Sequence, residues 1–348
     1  MKKKIRLATC VSAALLCGSL GVMNYYRAEG KPSFSVFSRA SHEDTETWTA
    51  EEFFLKDTLR EGYAALMQDT GSSGIGGVYI GSGTLIEQFA DYDPAVLEHN
   101  ISAVQDFAKE HKLNLVLVPT ASQTEKRYLP LFAAGVNEKK LLESIREQIP
   151  DAVFADLLST MASSGGYCYR TDPHWNASGA KVGYEVICRD ILKHKASDFR
   201  FQTKSSSYRG PLLERTGAAW IEADEIEEII PAHPVQLTVK YSDGTVSHSL
   251  YDENALETED MYGYYLSAAE GKTEIETSVN TERNAVIICD DYALILVPYL
   301  TQEYSRLTIV RTGSYTGSLS TVLKDEGNTD IFMVMSLKNF CNEEIEFR

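Results

Sequence analysis

Cationic side chains are scarce in this chain, with 33 Lys and Arg against 50 Asp and Glu and a formal net charge of −17. That balance argues against a nucleic-acid backbone as partner, because nucleic-acid binders concentrate Lys and Arg; most of the negative charge reads as solvated surface. Cysteine is scarce too. The four beyond the N-terminal segment, Cys168, Cys188, Cys289 and Cys341, have no C-x-x-C spacing and no histidine partner at zinc-like distance, so no metal staple and no metal cofactor is expected. Cys168 and Cys188 can pair in an oxidising compartment, the alternative being buried free thiols. A second long apolar run, a sequence repeat and a low-complexity tract are all absent, which removes multi-pass membrane proteins and solenoids from consideration.

What the chain does have begins at its N-terminus. "MKKKIRLATCVSAALLCGSLGVMNYY" places Lys2, Lys3, Lys4 and Arg6 ahead of an uncharged, mostly apolar run from Leu7 to Met23, a pattern that enters a membrane. Cleavage near Ala28 would need small residues where Tyr26 stands, and neither Cys10 nor Cys17 fits a lipid-attachment site. The expectation is therefore an uncleaved anchor over residues 1–26, with the basic end in the cytoplasm and the rest of the chain outside it. Residues 27–74 read as a stalk and a leading helix starting near Thr49.

With 348 residues, 43% of them apolar, the chain can fill one large α/β core. "GVYIGSGTLIEQF" reads as a hairpin, Pro94 to His111 as an amphipathic helix, and "LNLVLVPT" as a buried strand delivering a loop at its carboxyl end. "NEKKLLESIREQI" is helical and "AVFADLL" strand-like; "NAVIICD", "YALILVPYLTQEY", "RLTIVRT", "GSLSTVLKDEG" and "DIFMVMS" alternate strand and helix to the end. Such alternation implies a parallel sheet with helices on both faces. Between the halves, about 197–266 reads as a β-rich insertion with a hairpin turning at Asp243-Gly244, inside one domain spanning 75–348.

The stretch that carries chemistry is "YCYRTDPHWNASGA", Tyr167 to Ala180. Pro173 fixes its own φ and pushes Asp172 into an extended conformation, so the side chains of Asp172 and His174 face the same side. A carboxylate there can orient the imidazole and stabilise its cation when His174 acts as a general base. Asn176 or Ser178 caps the following helix and mounts the loop. Alone, an Asp-x-His triplet is weak and reads first as an Asp-Pro turn with His174 and Trp175 packing locally.

The same stretch resembles the "YYRTDHHWT..GA" signature of the DHHW proteins, a bacterial envelope family. "GGVYIGSGTLIEQF", "LVLVPTAS" followed by "YLP", "DMYGYYL" and "VIICDDYALILVPYL" resemble its other blocks in the same order, over roughly residues 75–340. These proteins are similar to the SGNH-hydrolase-like domains of alginate and wall-polysaccharide O-acetylation proteins. The resemblance implies an α/β, SGNH-hydrolase-like (flavodoxin-like) parallel sheet. It also implies a site made by Asp172, His174 and the block Asp290-Asp291-Tyr292, with Tyr169, Arg170 and Trp175 as further binding residues and no cofactor. Its implied partners are envelope polysaccharide and a membrane acyl-transfer protein.

Three departures from the pattern bear on activity. Asp291 stands where the family's "DSYA" block has its acyl-accepting serine, and a carboxylate there would give only a labile mixed anhydride. Ala268-Ala269 replaces a Gly-Asn pair, removing a polar group that helps hold an oxyanion. Pro173 replaces the first histidine and leaves the Asp-His pair intact. Cys289, two positions earlier, lies in the strand, where a thiol is usually inert. Three readings remain: a degenerate acyl-transfer site that binds glycan or a partner, a working O-acetyltransferase or acetylesterase with an unassigned nucleophile, and a scaffold with a closed cleft. Asp172, His174 and Asp291 as cation ligands are a further alternative.

Overall fold

The computed structural model describes residues 56–69, 74–131, 133–162, 165–266, 271–324 and 329–347. The chain divides into two units, Met1–Thr70 and Gly71–Arg348. Within the first, Lys56–Asp69 is a helix; the second holds every described strand. The expected membrane segment, the helix start near Thr49 and the Ala268-Ala269 pair lie outside the described residues. No described helix is long and apolar enough to cross a membrane.

The strands are β1 (Val78–Ile80), β2 (Leu85–Glu87), β3 (Leu113–Val118), β4 (Val153–Phe154), β5 (Phe199–Tyr208), β6 (Asp224–Pro231), β7 (Leu237–Lys240), β8 (Val246–Ser247), β9 (Lys272–Thr277), β10 (Asn284–Cys289), β11 (Arg306–Arg311) and β12 (Thr329–Ser336). Eight of them form one sheet in the order β4-β3-β12-β10-β11-β9-β7-β8, while β1-β2 and β5-β6 are separate antiparallel pairs. β4, β3, β12, β10 and β11 run parallel.

The apolar runs in these central strands reflect burial on both faces. Successive side chains alternate, so Ala285, Ile287 and Cys289 of β10 join one core with Phe332 and Val334, whereas Val286 and Ile288 join the other with Met333 and Leu115. Helices α1 (Pro94–Glu110), α2 (Glu138–Gln148), α3 (Ala177–Ile187) and α4 (Leu337–Asn342) cover the two faces. Val104, Ile145 and Phe340 pack on the second core, and Ala180 and Tyr184 of α3 on the first.

The sheet is mixed, which corrects the expected all-parallel arrangement. β9 is antiparallel to β11, β7 to β9 and β8 to β7. The short link over 278–283 cannot hold the crossover helix that a parallel connection needs, and β7 and β8 are joined by a tight turn, which permits only antiparallel pairing. That turn is the expected one at Asp243-Gly244: Gly244 has φ +88, and the Asp243 side chain accepts the Thr245 N–H at 2.8 Å. The insertion therefore contributes one free-standing pair and two strands at the edge of the main sheet.

Two element types also differ from the sequence reading. Only Val153 and Phe154 of "AVFADLL" are strand, because Asp156 caps a short helix, Leu157–Met161, by accepting the Ser159 N–H. "YALILVPYL" is a 3-10 turn, Asp291–Leu296, running into a short helix, Val297–Leu300. The cysteines at 168, 188, 289 and 341 are free thiols, so Cys168 and Cys188 do not pair.

Phe332 is fully buried in β12, between β3 and β10. Phe332→Ala is expected to cost about 3–5 kcal/mol, seen as a lower urea midpoint at unchanged slope. A variant as stable as the parent would contradict a close-packed sheet centre.

Candidate functional site

The Tyr167–Trp175 loop folds back on itself. Tyr169 N–H donates to the His174 carbonyl at 3.1 Å, Asn176 N–H to the Tyr167 carbonyl at 2.9 Å, and Cys168 and Trp175 form an isolated bridge. Two carboxylates pin it from outside. Glu125, 3% exposed, accepts the N–H groups of Gly166 and Tyr167. Asp224, at the start of β6, accepts Arg170 N–H at 2.8 Å, Thr171 N–H at 2.9 Å and the Thr171 hydroxyl at 2.6 Å. Gly210 N–H donates to the Thr171 hydroxyl at 2.9 Å, and a Cβ at Gly210 would lie 2.6 Å from the Asp172 Cβ, so glycine is required there. Asn176 caps α3 by accepting the Gly179 N–H at 3.0 Å.

Within this mounting Asp172 and His174 meet as the triplet suggested. One carboxylate oxygen accepts from both the backbone N–H and the Nδ1 of His174, each at 2.7 Å; the other accepts the Tyr208 hydroxyl at 2.6 Å. Burial opposes the charge on Asp172, but the His174 cation and the hydrogen bonds outweigh it and hold the carboxyl below its ordinary value. Burial likewise opposes protonation of His174, yet the neighbouring Asp172 carboxylate raises its pKa, with Asp290 and Asp291 adding to the effect.

Two tyrosine rings pack against the imidazole. His174 stacks on Tyr262 with centroids 4.0 Å apart at 15°, and Tyr292 tilts against it at 4.4 Å. The His174 side chain is 17% exposed. Among the described residues no hydroxyl or thiol is hydrogen-bonded to its ring.

The Asp290-Asp291-Tyr292 block lies at the carboxyl end of β10, beside the Asp-His pair. Trp175 Nε1–H donates to the Tyr292 carbonyl at 2.6 Å, and the Tyr292 hydroxyl donates to the Pro173 carbonyl at 3.1 Å, lacing the two blocks together. Asp290 is turned inward, where it accepts Ser336 N–H at 2.8 Å, the Asn339 side chain at 2.9 Å and Tyr292 N–H at 3.0 Å. Burial pushes its pKa up to about 6 despite these donors. Asp291, at the position matched to the family's serine, sends its carboxylate to the Arg311 guanidinium, while its carbonyl accepts the Tyr262 hydroxyl at 3.2 Å.

Trp175 and Tyr169 are core residues, 1% and 3% exposed. Both rings pack in the core cluster beneath the loop. Asp290 is likewise a tie between β10 and α4. Of the flanking set, Tyr169 and Arg170 line an open cleft of 850 Å³, together with Ser82, Thr84, Tyr128 and Glu222; His174 does not line it. Cys289 is buried and its thiol is pushed up by burial, as its strand position implied. Asp172, His174 and Asp291 do not form a three-ligand cation group among the described residues.

Tyr208, Asp224, Glu125, Tyr262 and Arg311 were not singled out as site residues in the sequence. For Arg311 a signal existed: in parallel register it pairs with Cys289, so the end of β11 must lie beside the end of β10.

By sequence alone the chain matches no protein-family model and no curated protein. Its structure matches a DHHW family protein from Eubacterium siraeum at TM-score 0.64 and 17% identity, over 76% of this chain and 95% of that one. The chain shares its fold with a DHHW family protein. Bacillus cereus PatB1, solved with a sulfonyl adduct, matches at TM-score 0.63 and 18% identity over 78% of this chain and 99% of that one. The O-acetyltransferase domain of Pseudomonas putida AlgJ matches at TM-score 0.50 and 14% identity over 77% and 93%. The α/β fold with a mixed, mostly parallel central sheet is thus one that these proteins share.

The pair's linkage has a defined sign. His174 is raised from 6.5, so its contribution to stability is complete below pH 6.5 and is lost as pH rises through the folded value. Asp172 is lowered from 3.8, so its contribution is complete above that and is lost as pH falls through the folded value. An NMR titration of His174 should give a midpoint above 6.5, and Asp172→Asn should move it down. A parent midpoint at or below 6.5 would show that burial, not the carboxylate, governs this ring.

Proposed function

We propose that this is a membrane-anchored, extracytoplasmic SGNH-like protein related to O-acetylation of cell-envelope polysaccharide, with a degenerate acyl-transfer site and a role in binding glycan or a partner protein. The observation that carries this reading is the environment of His174. The Asp172-His174 pair is intact, but the serine position holds Asp291, whose carboxylate pairs with Arg311, and the ring packs against Tyr262 and Tyr292.

Acyl transfer by an Asp-His pair needs three further things: a hydroxyl or thiol in reach of Nε2, room for the acyl group, and donors for the oxyanion. Asp291 removes the first, since its carboxylate has no proton to give and is neutralised by Arg311. Similarity of fold to an O-acetyltransferase domain supports the broad class of reaction from which the site derives. The cleft beside Arg170 supports a retained binding role: its Ser, Thr and Tyr hydroxyls, with Arg170 and Glu222, suit a polyhydroxylated ligand.

The protein should hydrolyse a chromogenic acetyl ester no faster than its His174→Ala variant, because no nucleophile faces the imidazole. Asp291→Ser should give slow turnover at best, with the rings still over the base. Burst kinetics in the parent that vanish in His174→Ala would overturn the proposal in favour of an active O-acetyltransferase or acetylesterase. Placement is tested separately: protease added to intact, wall-stripped cells should remove residues 71–348, and full protection would defeat the topology.

A further inference from the structure

At the opposite end of α3 from the Asp-His pair lies a second group of reactive side chains. After Ile187 the helix widens into a π-helical turn, Cys188–Leu192, closed by Lys193 in the left-handed region at φ 62. That closure turns the chain back, so that both Lys193 and His194 donate their N–H groups to the Cys188 carbonyl, the latter at 3.1 Å. Six positions apart in sequence, Cys188 and His194 do not share a helix face, and their spacing carries no metal signature; the turn brings them together anyway. π-turns of this kind recur at functional sites.

Glu303, from the turn that follows Val297–Leu300, completes the group. The Cys188 Sγ, a ring nitrogen of His194 and a Glu303 carboxylate oxygen all lie within 4.8 Å of one another. His194 Nε2 is 3.0 Å from Glu303 Oε2. Among the described residues no other three Cys, His, Asp or Glu ligand atoms gather so closely.

The supporting contacts point the same way. His194 Nδ1 is 3.0 Å from the Lys195 carbonyl, which can only accept, so Nδ1 carries the proton and the neutral ring turns a bare Nε2 lone pair toward the carboxylate. Two acceptors at 3.0 Å repel unless a positive charge is held there, as a proton on Nε2 or as a metal ion. The second Glu303 oxygen accepts the Tyr184 hydroxyl, and that hydroxyl in turn accepts the Ser197 N–H at 3.0 Å, fixing the carboxylate. Nearby Arg283 is engaged by Asp330 at 2.6 Å. Outer hydrogen bonds to both the imidazole and the carboxylate are how metal ligands are commonly oriented.

We propose that Cys188, His194 and Glu303 form a three-ligand binding site for one Zn²⁺ ion, with the fourth position open to water. A sulfur, an imidazole nitrogen and a single carboxylate suit zinc and not magnesium or calcium, which take oxygen ligands. Bond lengths of ~2.3 Å to sulfur and ~2.0 Å to nitrogen or oxygen require the thiol to move inward modestly from its present place. Binding exchanges the Cys188 thiol proton, released to solvent, for a Zn–S bond. Cys188 is fully buried and the His194 side chain is 38% exposed, so the ion enters from the histidine side.

The site is independent of the acyl-transfer reading, and its test needs no enzyme activity. The full chain, stripped with chelator, is titrated with Zn²⁺ against a chromophoric competitor and with Co²⁺ while following absorption. One equivalent should bind, and the cobalt form should show a thiolate-to-metal charge-transfer band. His194→Ala and Glu303→Gln should weaken binding by about tenfold or more, and Cys188→Ser should abolish the charge-transfer band; His99→Ala, on α1, should change nothing. Should Cys188→Ser fail to fold, the cobalt spectrum of the parent and the affinity of His194→Ala still decide the matter. Absence of saturable binding at micromolar metal, or affinity unchanged in His194→Ala, would overturn the proposal and leave an imidazolium-carboxylate pair.

Discussion

The Asp172 carboxylate is 2% exposed and accepts from the His174 backbone, the His174 ring and the Tyr208 hydroxyl. A buried carboxylate stays ionised most readily when its lone pairs are used and a positive charge lies beside it. Meeting that condition dictates the surroundings. The loop must double back so that the His174 N–H reaches the carboxylate two residues before it. The residues just ahead must be pinned, which Asp224 does, and Gly210 must be free of a side chain for the backbone to pass. Tyr208, Gly210 and Asp224 all come from the insertion between the two halves of the sheet. The insertion is therefore the outer wall of the site, and removing it would leave a charged group without its partners.

The central strands were legible because their residues are buried on both faces, which leaves uninterrupted apolar runs: β3, β10, β11 and β12 were found where the sequence put them. The direction of β9 was not legible, since strand alternation records which face is buried and says nothing of the neighbour's polarity. In the site, Asp172 and His174 could be paired from local geometry alone, whereas the Asp290-Asp291 block was placed there only by the resemblance of its motif. Tyr208, Asp224 and Tyr262 arrive from elements far away in sequence, so nothing near the motif announces them. The burial of Tyr169 and Trp175 was hidden for a related reason: an aromatic beside a loop motif looks the same whether it faces a ligand or the core.

The charges of the two blocks also bear on how the loops are held together. In a working triad the imidazolium forms as the nucleophile loses its proton, and the carboxylate's stabilisation of that cation lowers the barrier because it is strongest in the transition state. Around His174, Asp172, Asp290 and Asp291 raise the ring's pKa against the opposing effect of burial, and Tyr262 lies flat against it. Arg311 acts in the same direction on the other block, neutralising Asp291 in a contact that a serine could not make. Asp172 with His174 and Asp291 with Arg311 are thus paired charges, and together with the hydrogen bonds of Asp290 they tie together the loops at the carboxyl ends of the sheet.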